Sequence, residues 1–402
     1  MSRPISDIRI ADVDTSLASE GARVLSIKTG SHSFQTPTRP FTTAEITAKS
    51  FLGYKGEIVN DIAAIPIDFS GKRKELFLGN SKAISKAEAS LRSNLDAAYG
   101  KPELAVFQMD PLEASDIKSL KVAFDMQRDA EGLDIITLPE TGPDIKSFSE
   151  AVSKWCEGAE TADKGAAVQL SLKEDVEVFS SKLSLVSELS RSGSIQAINI
   201  RYERPEKCRL QLAELWKARE SINAIVNCTQ FRSAGSSVSV PGIESKVLLR
   251  DAETDLLQHG FDMVTPVKKT VSSRFIARMN NQPAPDSLDK IDLFNMAVHE
   301  AGVSIKSNAW MKMGHPPECR CSVCRGREKD ALISAFSYKD NREIERSGMR
   351  YFSILHSHQS DMNELEILRR YAKSEGAKEY NNRQNEKMKE VKTAIGKGFE
   401  TS

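Results

Sequence analysis

The sequence predicts an α/β protein: a (β/α)8 barrel of the TIM type, with an N-terminal β region before it and a C-terminal metal-binding subdomain after it. Three observations predict this. Apolar runs of strand length alternate with helical stretches between residues 57 and 267, the pattern of a parallel sheet covered on both faces. Such runs number about seven, and a further strand from the N-terminal region or from residues 291–310 would bring a barrel to its eight. No Gly-rich phosphate-binding turn follows the first run, which weakens the alternative of an open, doubly wound sheet.

The elements follow in order. Residues 1–56 form the N-terminal β region, in which 23–28 (RVLSIK) and 33–39 (SFQTPTR) are parted by Gly30-Ser31, a hairpin break. The barrel is expected over residues 57–310. Its strands read as 57–68 (EIVNDIAAIPID), 103–110 (ELAVFQMD), 133–140 (LDIITLPE), 166–172 (AAVQLSL), 195–202 (IQAINIRY), 222–228 (INAIVNC) and 261–267 (FDMVTPV). Helical spacing covers 81–99, 115–130, 144–156, 174–191, the stretch up to 221 and a short piece at 251–258. Residues 268–310 are irregular and read as a long loop or insertion. Residues 311–402 form the metal-binding helical subdomain. Its charged tail, 362–397, is helical, with Leu365, Ile367, Leu368 and Tyr371 on one face.

Composition narrows the class. Of 402 residues, 40% are hydrophobic and 28% charged, which fits a globular chain with a core and sets aside disorder. The formal net charge is zero, so any contact with nucleic acid must come from a local patch. Cys156, Cys208 and Cys228 are scattered and read as packing residues, not as a disulfide framework. Residues 1–13 are charged, unlike a signal peptide. No apolar run reaches the length of a membrane span. A cytoplasmic protein with no membrane partner is expected.

Cys319-Arg320-Cys321-Ser322-Val323-Cys324 places three thiols within six residues. Thiolate and imidazole suit Zn2+, which is four-coordinate and tetrahedral in structural sites. His356 and His358 lie further along as sources of a fourth ligand. The plainer alternative is a set of buried or redox cysteines. A reduced chain rarely clusters thiols without metal or redox chemistry.

In a parallel barrel, chemistry sits where the strands end. The expected strand ends carry Asp68, Asp110, Glu140, Arg201 with Glu203, Asn227, and Asp262 with Thr265. Paired carboxylates divide labour as nucleophile and general acid or base. Each acid taken singly reads equally well as a helix N-cap or a salt-bridge partner. Lys268, Lys269, Arg274 and Arg278, and the cations around the cysteines, suit a phosphate backbone or an ordinary charged surface.

The chain resembles the tRNA-guanine transglycosylases, zinc-containing barrel enzymes that exchange a base through a glycosyl-aspartate intermediate. The specific match is C-x-C-x-x-C followed by a histidine, with an arginine thirteen residues later; His356 and Arg369 stand in that relation. The resemblance therefore implies Cys319, Cys321, Cys324 and His356 as ligands of a structural zinc, with the longer cysteine-to-histidine spacing taken up in a loop at 337–348. Residues 34–42 (FQTPTRPFT) are similar to the family's T-P-x-x-x-P segment. Residues 65–71 (IPIDFSG) are similar to the segment of its first catalytic aspartate, which implies Asp68. Residues 255–266 (DLLQHGFDMVTP) are similar to the strand carrying its nucleophile. Counted from Gly260, that position falls on Thr265, and Asp262 on the same stretch is the nucleophile candidate.

Phe69 breaks the family's glycine pair, and Pro266-Val267-Lys268-Lys269 replaces its P-T-R run. These departures are similar to what is expected of the DpdA branch, which places 7-deazaguanines in DNA. The resemblance then implies a guanine taken out of its stack and attack by Asp262 at C1′. 7-Cyano-7-deazaguanine then enters, Asp68 accepts its proton, and Asp110 reads the incoming base. The implied partners are DNA and the deazaguanine base, with a helper protein left open. Two other readings stay open: the same chemistry on tRNA, and a catalytically silent nucleic-acid-binding or partner subunit, which Thr265 favours.

Overall fold

In the computed structural model the described residues are 4–16, 21–30, 32–51, 62–65, 78–99, 105–107, 117–231, 237–238, 247–248, 256–266, 297–306, 321, 324 and 343–400. The chain opens on three antiparallel strands, β1 (Ile5–Val13), β2 (Arg23–Thr29) and β3 (His32–Gln35), in that spatial order. The β2–β3 hairpin turns at Gly30, where the sequence broke. β1 lies within the expected N-terminal β region, on residues not singled out there as a strand. Ile8 and Ile10 of β1 pack, partly buried, against the second of two core clusters.

A parallel sheet follows. Its strands are β4 (Phe41–Thr42), β5 (Ile62–Ala64), β6 (Ala105–Phe107), β7 (Ile135–Leu138), β8 (Gly165–Ser171), β9 (Ile195–Arg201) and β10 (Ile225–Phe231). Outside it, β11 (Ser237–Val238) pairs with β12 (Val247–Leu248). β13 (Met263–Pro266) is the eighth strand of the sheet, and all eight lie in chain order. The sheet therefore begins at Phe41, inside the stretch expected to be the separate N-terminal region. Residues 291–310, the other candidate for an eighth strand, instead give an antiparallel hairpin, β14 (Ala297–Glu300) and β15 (Val303–Lys306). Thr38, just ahead of β4, bridges Met263 in parallel, and its N–H donates to the Asp262 carbonyl at 3.0 Å. The first and last parts of the sheet thus touch.

Helices cover the outer face: α1 (Thr43–Phe51), α2 (Ser81–Tyr99), α3 (Ile117–Arg128), α4 (Ile145–Thr161), α5 (Val176–Arg191) and α6 (Arg209–Ala218). α4 shows why they form. Asp144 caps it by accepting from the Ser147 amide, and Phe148, Val152, Trp155 and Ala159 make one buried stripe. Gly158 lets α3 approach, since a Cβ there would lie 2.5 Å from the Phe124 ring. Two more helices close the chain, α7 (Glu343–Lys373) and α8 (Gly376–Glu400). The tail was expected as one helix. It breaks at Gly376, whose φ of +82° suits glycine, and Asp14 from the N-terminal region accepts from the Ala377 amide. Residues 343–348, expected in a loop, are already helical. No described helix is long and apolar enough to cross a membrane.

The strands alternate between two cores. Ile136, Val168, Ile198 and Val226 face the helices. Ile62, Ala64, Ile135, Ala167, Ala197, Ile225 and Met263 face inward, and Ile5, Leu25, Ile27 and Phe34 of the N-terminal sheet pack against them. Most of these residues lie in the early part of their strands, so the N-terminal sheet plugs that end.

Candidate functional site

Further along the same strands the inner face turns polar. Side chains two apart share a face of a strand. After Ile135, Ala167, Ala197, Ile225 and Met263 come Thr137, Gln169, Asn199, Asn227 and Thr265, all buried. Their hydrogen bonds run in one direction around the sheet. Thr265 Oγ1 donates to Asn227 Oδ1 (3.0 Å), Asn227 Nδ2 to Asn199 Oδ1 (3.0 Å), and Asn199 Nδ2 to Thr137 Oγ1 (3.0 Å).

The last of these bonds passes from β9 to β7 and skips β8, where Gln169 stands. Gln169 is 2% exposed, and neither its Nε2 nor its Oε1 has a hydrogen-bond partner. An unsatisfied buried amide is costly, and its position at the C-terminal half of a parallel sheet is where such folds bind ligands. A group offering one acceptor and one donor side by side would satisfy both atoms. Sequence reasoning missed Gln169 and Asn199. Their signal was available: strands buried on both faces should be apolar throughout, yet AAVQLSL, IQAINIR and IVNCT each carry polar residues at alternate late positions.

The expected site residues fall as follows. Asp68, Asp110 and Cys319 lie outside the described residues. Asp262 was expected at a strand end as a nucleophile. It instead precedes β13, at the strand's start, with no exposed surface. Arg23 Nε and Nη2 hold its two carboxylate oxygens at 2.9 and 2.6 Å, and its Oδ2 also accepts from the Val226 amide at 2.7 Å. Arg23 further donates to the carbonyls of Arg219, Ile222 and Ala224. A nucleophile needs an open line to its electrophile; Asp262, as placed, is half of a sealed ion pair that locks the N-terminal sheet under β10 and β13. Thr265 is the β13 residue that joins the polar ladder.

The cysteine cluster does assemble. The ligand atoms of Cys321, Cys324 and His356 all lie within 4.8 Å of one another. His356 Nδ1 is 3.4 Å from Cys321 Sγ and 3.1 Å from Cys324 Sγ. Around a tetrahedral zinc, bond lengths of about 2.3 Å to sulfur and 2.0 Å to nitrogen put these atoms roughly 3.5 Å apart. The Cys324 amide also donates to Cys321 Sγ at 3.3 Å. All three residues are buried. The donor set fits a metal ion.

His358, the other candidate ligand, serves a different purpose. Its ring lies 4.2 Å from that of Phe41, and its Nδ1 lies 2.6 Å from Arg39 Nη1, so Nδ1 accepts. Burial pushes the imidazole pKa down, against the pull of Glu45. Arg39 also pairs with Glu45 (2.8 Å) and Asp361 (3.2 Å). Burial pushes the Glu45 carboxyl up, but Arg39, His358 and the Thr42 amide outweigh it and hold the pKa at about 2. One turn of α7 thus carries His356 toward the thiols and His358 toward β4 and α1. Further along α7, Arg369 donates to the carbonyls of Gln35 (3.3 Å) and Pro37 (2.5 Å), and Lys373 to Gln35 Oε1 (2.8 Å).

No protein-family model matches the chain, and no curated protein matches it. Among solved structures it is similar to a protein described as a fructose-1,6-biphosphate aldolase from Coccidioides immitis, at 11% identity and a TM-score of 0.38, over 82% of this chain and 92% of that one. It is also similar to a chain of the tryptophan synthase complex from Pyrococcus furiosus, at 12% identity and a TM-score of 0.33, over 57% of this chain and 86% of that one. Overlaps this loose bear on neither activity nor substrate.

Proposed function

We propose that this chain is a base-exchange transglycosylase that replaces guanine in DNA by a 7-deazaguanine, on a closed (β/α)8 barrel with a zinc-held C-terminal subdomain. The observation that carries the reading is Gln169, whose buried amide lacks both partners above a ladder of neutral hydrogen-bonding groups. A purine or deazapurine presents a lactam edge, an acceptor oxygen beside a donor N–H, which complements a primary amide. The ladder beneath is uncharged, and an uncharged floor suits a neutral heterocycle.

Two further observations support it. Cys321, Cys324 and His356 converge, and zinc is the metal this donor set favours; Cys319 would complete the shell. A closed shell leaves no open position, so the zinc would hold structure and take no part in the chemistry. The two segments that carry the resemblance also meet, because Arg369 grips the carbonyls of Gln35 and Pro37.

The chain's own task is then to hold a flipped base against Gln169 and to bring a carboxylate to C1′. With Asp262 committed to Arg23, Asp68 is the first acid to test, with Asp110 as its partner. The test is exchange of labelled 7-cyano-7-deazaguanine, offered duplex DNA and unmodified tRNA in parallel, followed by peptide mapping of any trapped glycosyl-enzyme. Label in DNA alone supports the reading. Label in tRNA alone assigns the tRNA substrate instead. Label in neither, with folded and metal-loaded protein, rejects independent catalysis and leaves a partner subunit. An adduct on the Asp262 peptide would require the Arg23 pair to open during turnover.

A further inference from the structure

At the other end of the strands from the polar ladder, the turns that lead from α4 into β8 and from α5 into β9 enclose a cavity of about 80 Å³. Glu160, Asp163, Gly165, Ser194 and Gln196 are in its wall. Both helices reach it by their C-terminal ends, which carry partial negative charge. Glu160 and Asp163 are exposed, and among the described residues neither carboxylate has an ion pair. Lys164, the one cation of the wall, is already engaged: its Nζ donates to the carbonyls of Ala130 (2.7 Å) and Leu133 (2.6 Å).

Gln196 is the buried polar part of the wall, at 3% exposure. Its Nε2 donates to the Ile5 carbonyl of the N-terminal sheet at 2.8 Å, whereas its Oε1 is buried and accepts from nothing. Oε1 fills the notch left by Gly165, where a Cβ would collide with it; the other side chain at that notch is Ile135, which has no donor. A buried amide oxygen without a donor is costly. An unmatched acceptor, two unmatched carboxylates and two helix C-termini together call for a ligand that brings donors and positive charge.

We propose that this cavity binds a small planar organic cation of the guanidinium class, with one N–H on Gln196 Oε1 and the others facing Glu160 and Asp163. A guanidinium carries donors in several directions in one plane and is weakly hydrated, so it can leave water to address an amide oxygen and a carboxylate at once. An ammonium is a compact, strongly hydrated point charge and loses more on entry. The site is separate from the inner face of the sheet, so its fate and that of the base pocket are independent.

The experiment is ligand-detected NMR titration of the full chain with methylguanidinium, methylurea and methylammonium. Methylurea keeps the plane without the charge, and methylammonium keeps the charge without the plane. Methylguanidinium should bind about tenfold or more tighter than methylurea, as charge-assisted hydrogen bonds allow, and about threefold or more tighter than methylammonium. Glu160→Gln combined with Asp163→Asn should abolish the preference over methylurea. Both positions are exposed, and asparagine tolerates the φ of +58° at residue 163, so this variant should fold as the parent does. Gln196→Leu, which deletes the acceptor, should bring methylguanidinium to the level of methylammonium; if that variant does not fold, the rim variant decides.

Equal binding of methylguanidinium and methylurea by the unaltered protein overturns the proposal, as does the absence of saturable methylguanidinium binding. A preference over methylurea that survives the rim variant places the cation elsewhere and overturns it too. Methylammonium binding as tightly as methylguanidinium to the unaltered protein rejects the planar class of ligand.

Discussion

Gln169 is buried with both amide atoms unpaired while the three polar side chains nearest in strand order bond to one another around it. A fold optimised for stability alone would place leucine there. Gln169→Leu should therefore raise stability, by about 1–3 kcal/mol, the penalty for unsatisfied buried polar atoms. Urea denaturation should show a higher midpoint at unchanged slope, and guanine binding should be lost. A less stable variant would mean that the amide is satisfied in solution, and would withdraw the main support for a base pocket. Arg23 is the opposite case. Every donor of its guanidinium is spent, on Asp262 and on three carbonyls. Removing one partner of a buried pair leaves the other uncompensated, so Arg23→Met should cost about 3–5 kcal/mol in the same assay. Pairing it with Asp262→Leu should recover much of that loss, whereas a catalytic Asp262 would show loss of exchange beyond any loss of fold.

At the scale of the element, α7 carries the most. It presents His356 to the thiols, His358 and Asp361 to Arg39, and Arg369 to the segment ahead of β4. Glu45 answers it from α1, and its carboxyl pKa lies at about 2 against an ordinary 4.5. A folded-state pKa below the unfolded one gives stability that is complete above the unfolded value and is lost as pH falls toward the folded one. Glu45→Gln should thus lower stability at neutral pH by about 3 kcal/mol. The difference from the parent should hold down to about pH 4.5 and shrink between there and pH 2; a difference independent of pH would mean that shape, not charge, is at work. Much of this scale was legible in the sequence. The strands from residue 133 to 231 and their helices follow directly from apolar runs and caps such as Asp144. β4 was not, because a two-residue strand has no period to detect, and its place in the sheet comes from Ala63 and Ala64 beside it. Asp262 was misread for a related reason. Phe261-Asp262 continues an apolar run, but the ladder starts only at Met263, so an acid taken for a strand end stands at a strand start. Its partner Arg23 lies 239 residues away, and a sequence pattern shows nothing of such a pair. The thiol–imidazole cluster was legible because ligand chemistry fixes its spacing.

In the whole molecule, the two ends of the chain fasten each other. Asp14 accepts from the Ala377 amide in the first turn of α8, Gln258 bonds Asn381, and Gln384 reaches the Gly302 carbonyl. Arg369 and Lys373 hold Gln35 and Pro37, which lead into the strand that meets β13. The inner face is plugged at the start of the strands and polar at their ends, so anything that loosens the N-terminal segment also loosens the seam of the sheet. A metal bound by Cys321, Cys324 and His356 would anchor this arrangement through α7, and where a site does not exist in the unfolded chain its binding energy is folding energy. Removing the metal with a chelator should therefore act well beyond the cysteines. Hydrogen exchange should accelerate in α7, in residues 34–51 and at Met263, while β8, β9 and the helices between them keep their protection, since their contacts are local. Cys321→Ser should reproduce that pattern in protein purified without chelator, with less than one bound metal ion per chain by elemental analysis. Acceleration confined to the residues beside the thiols would show that the cluster holds only its own turn, and that α7 is docked by Arg39, Glu45 and Arg369 without help from a metal.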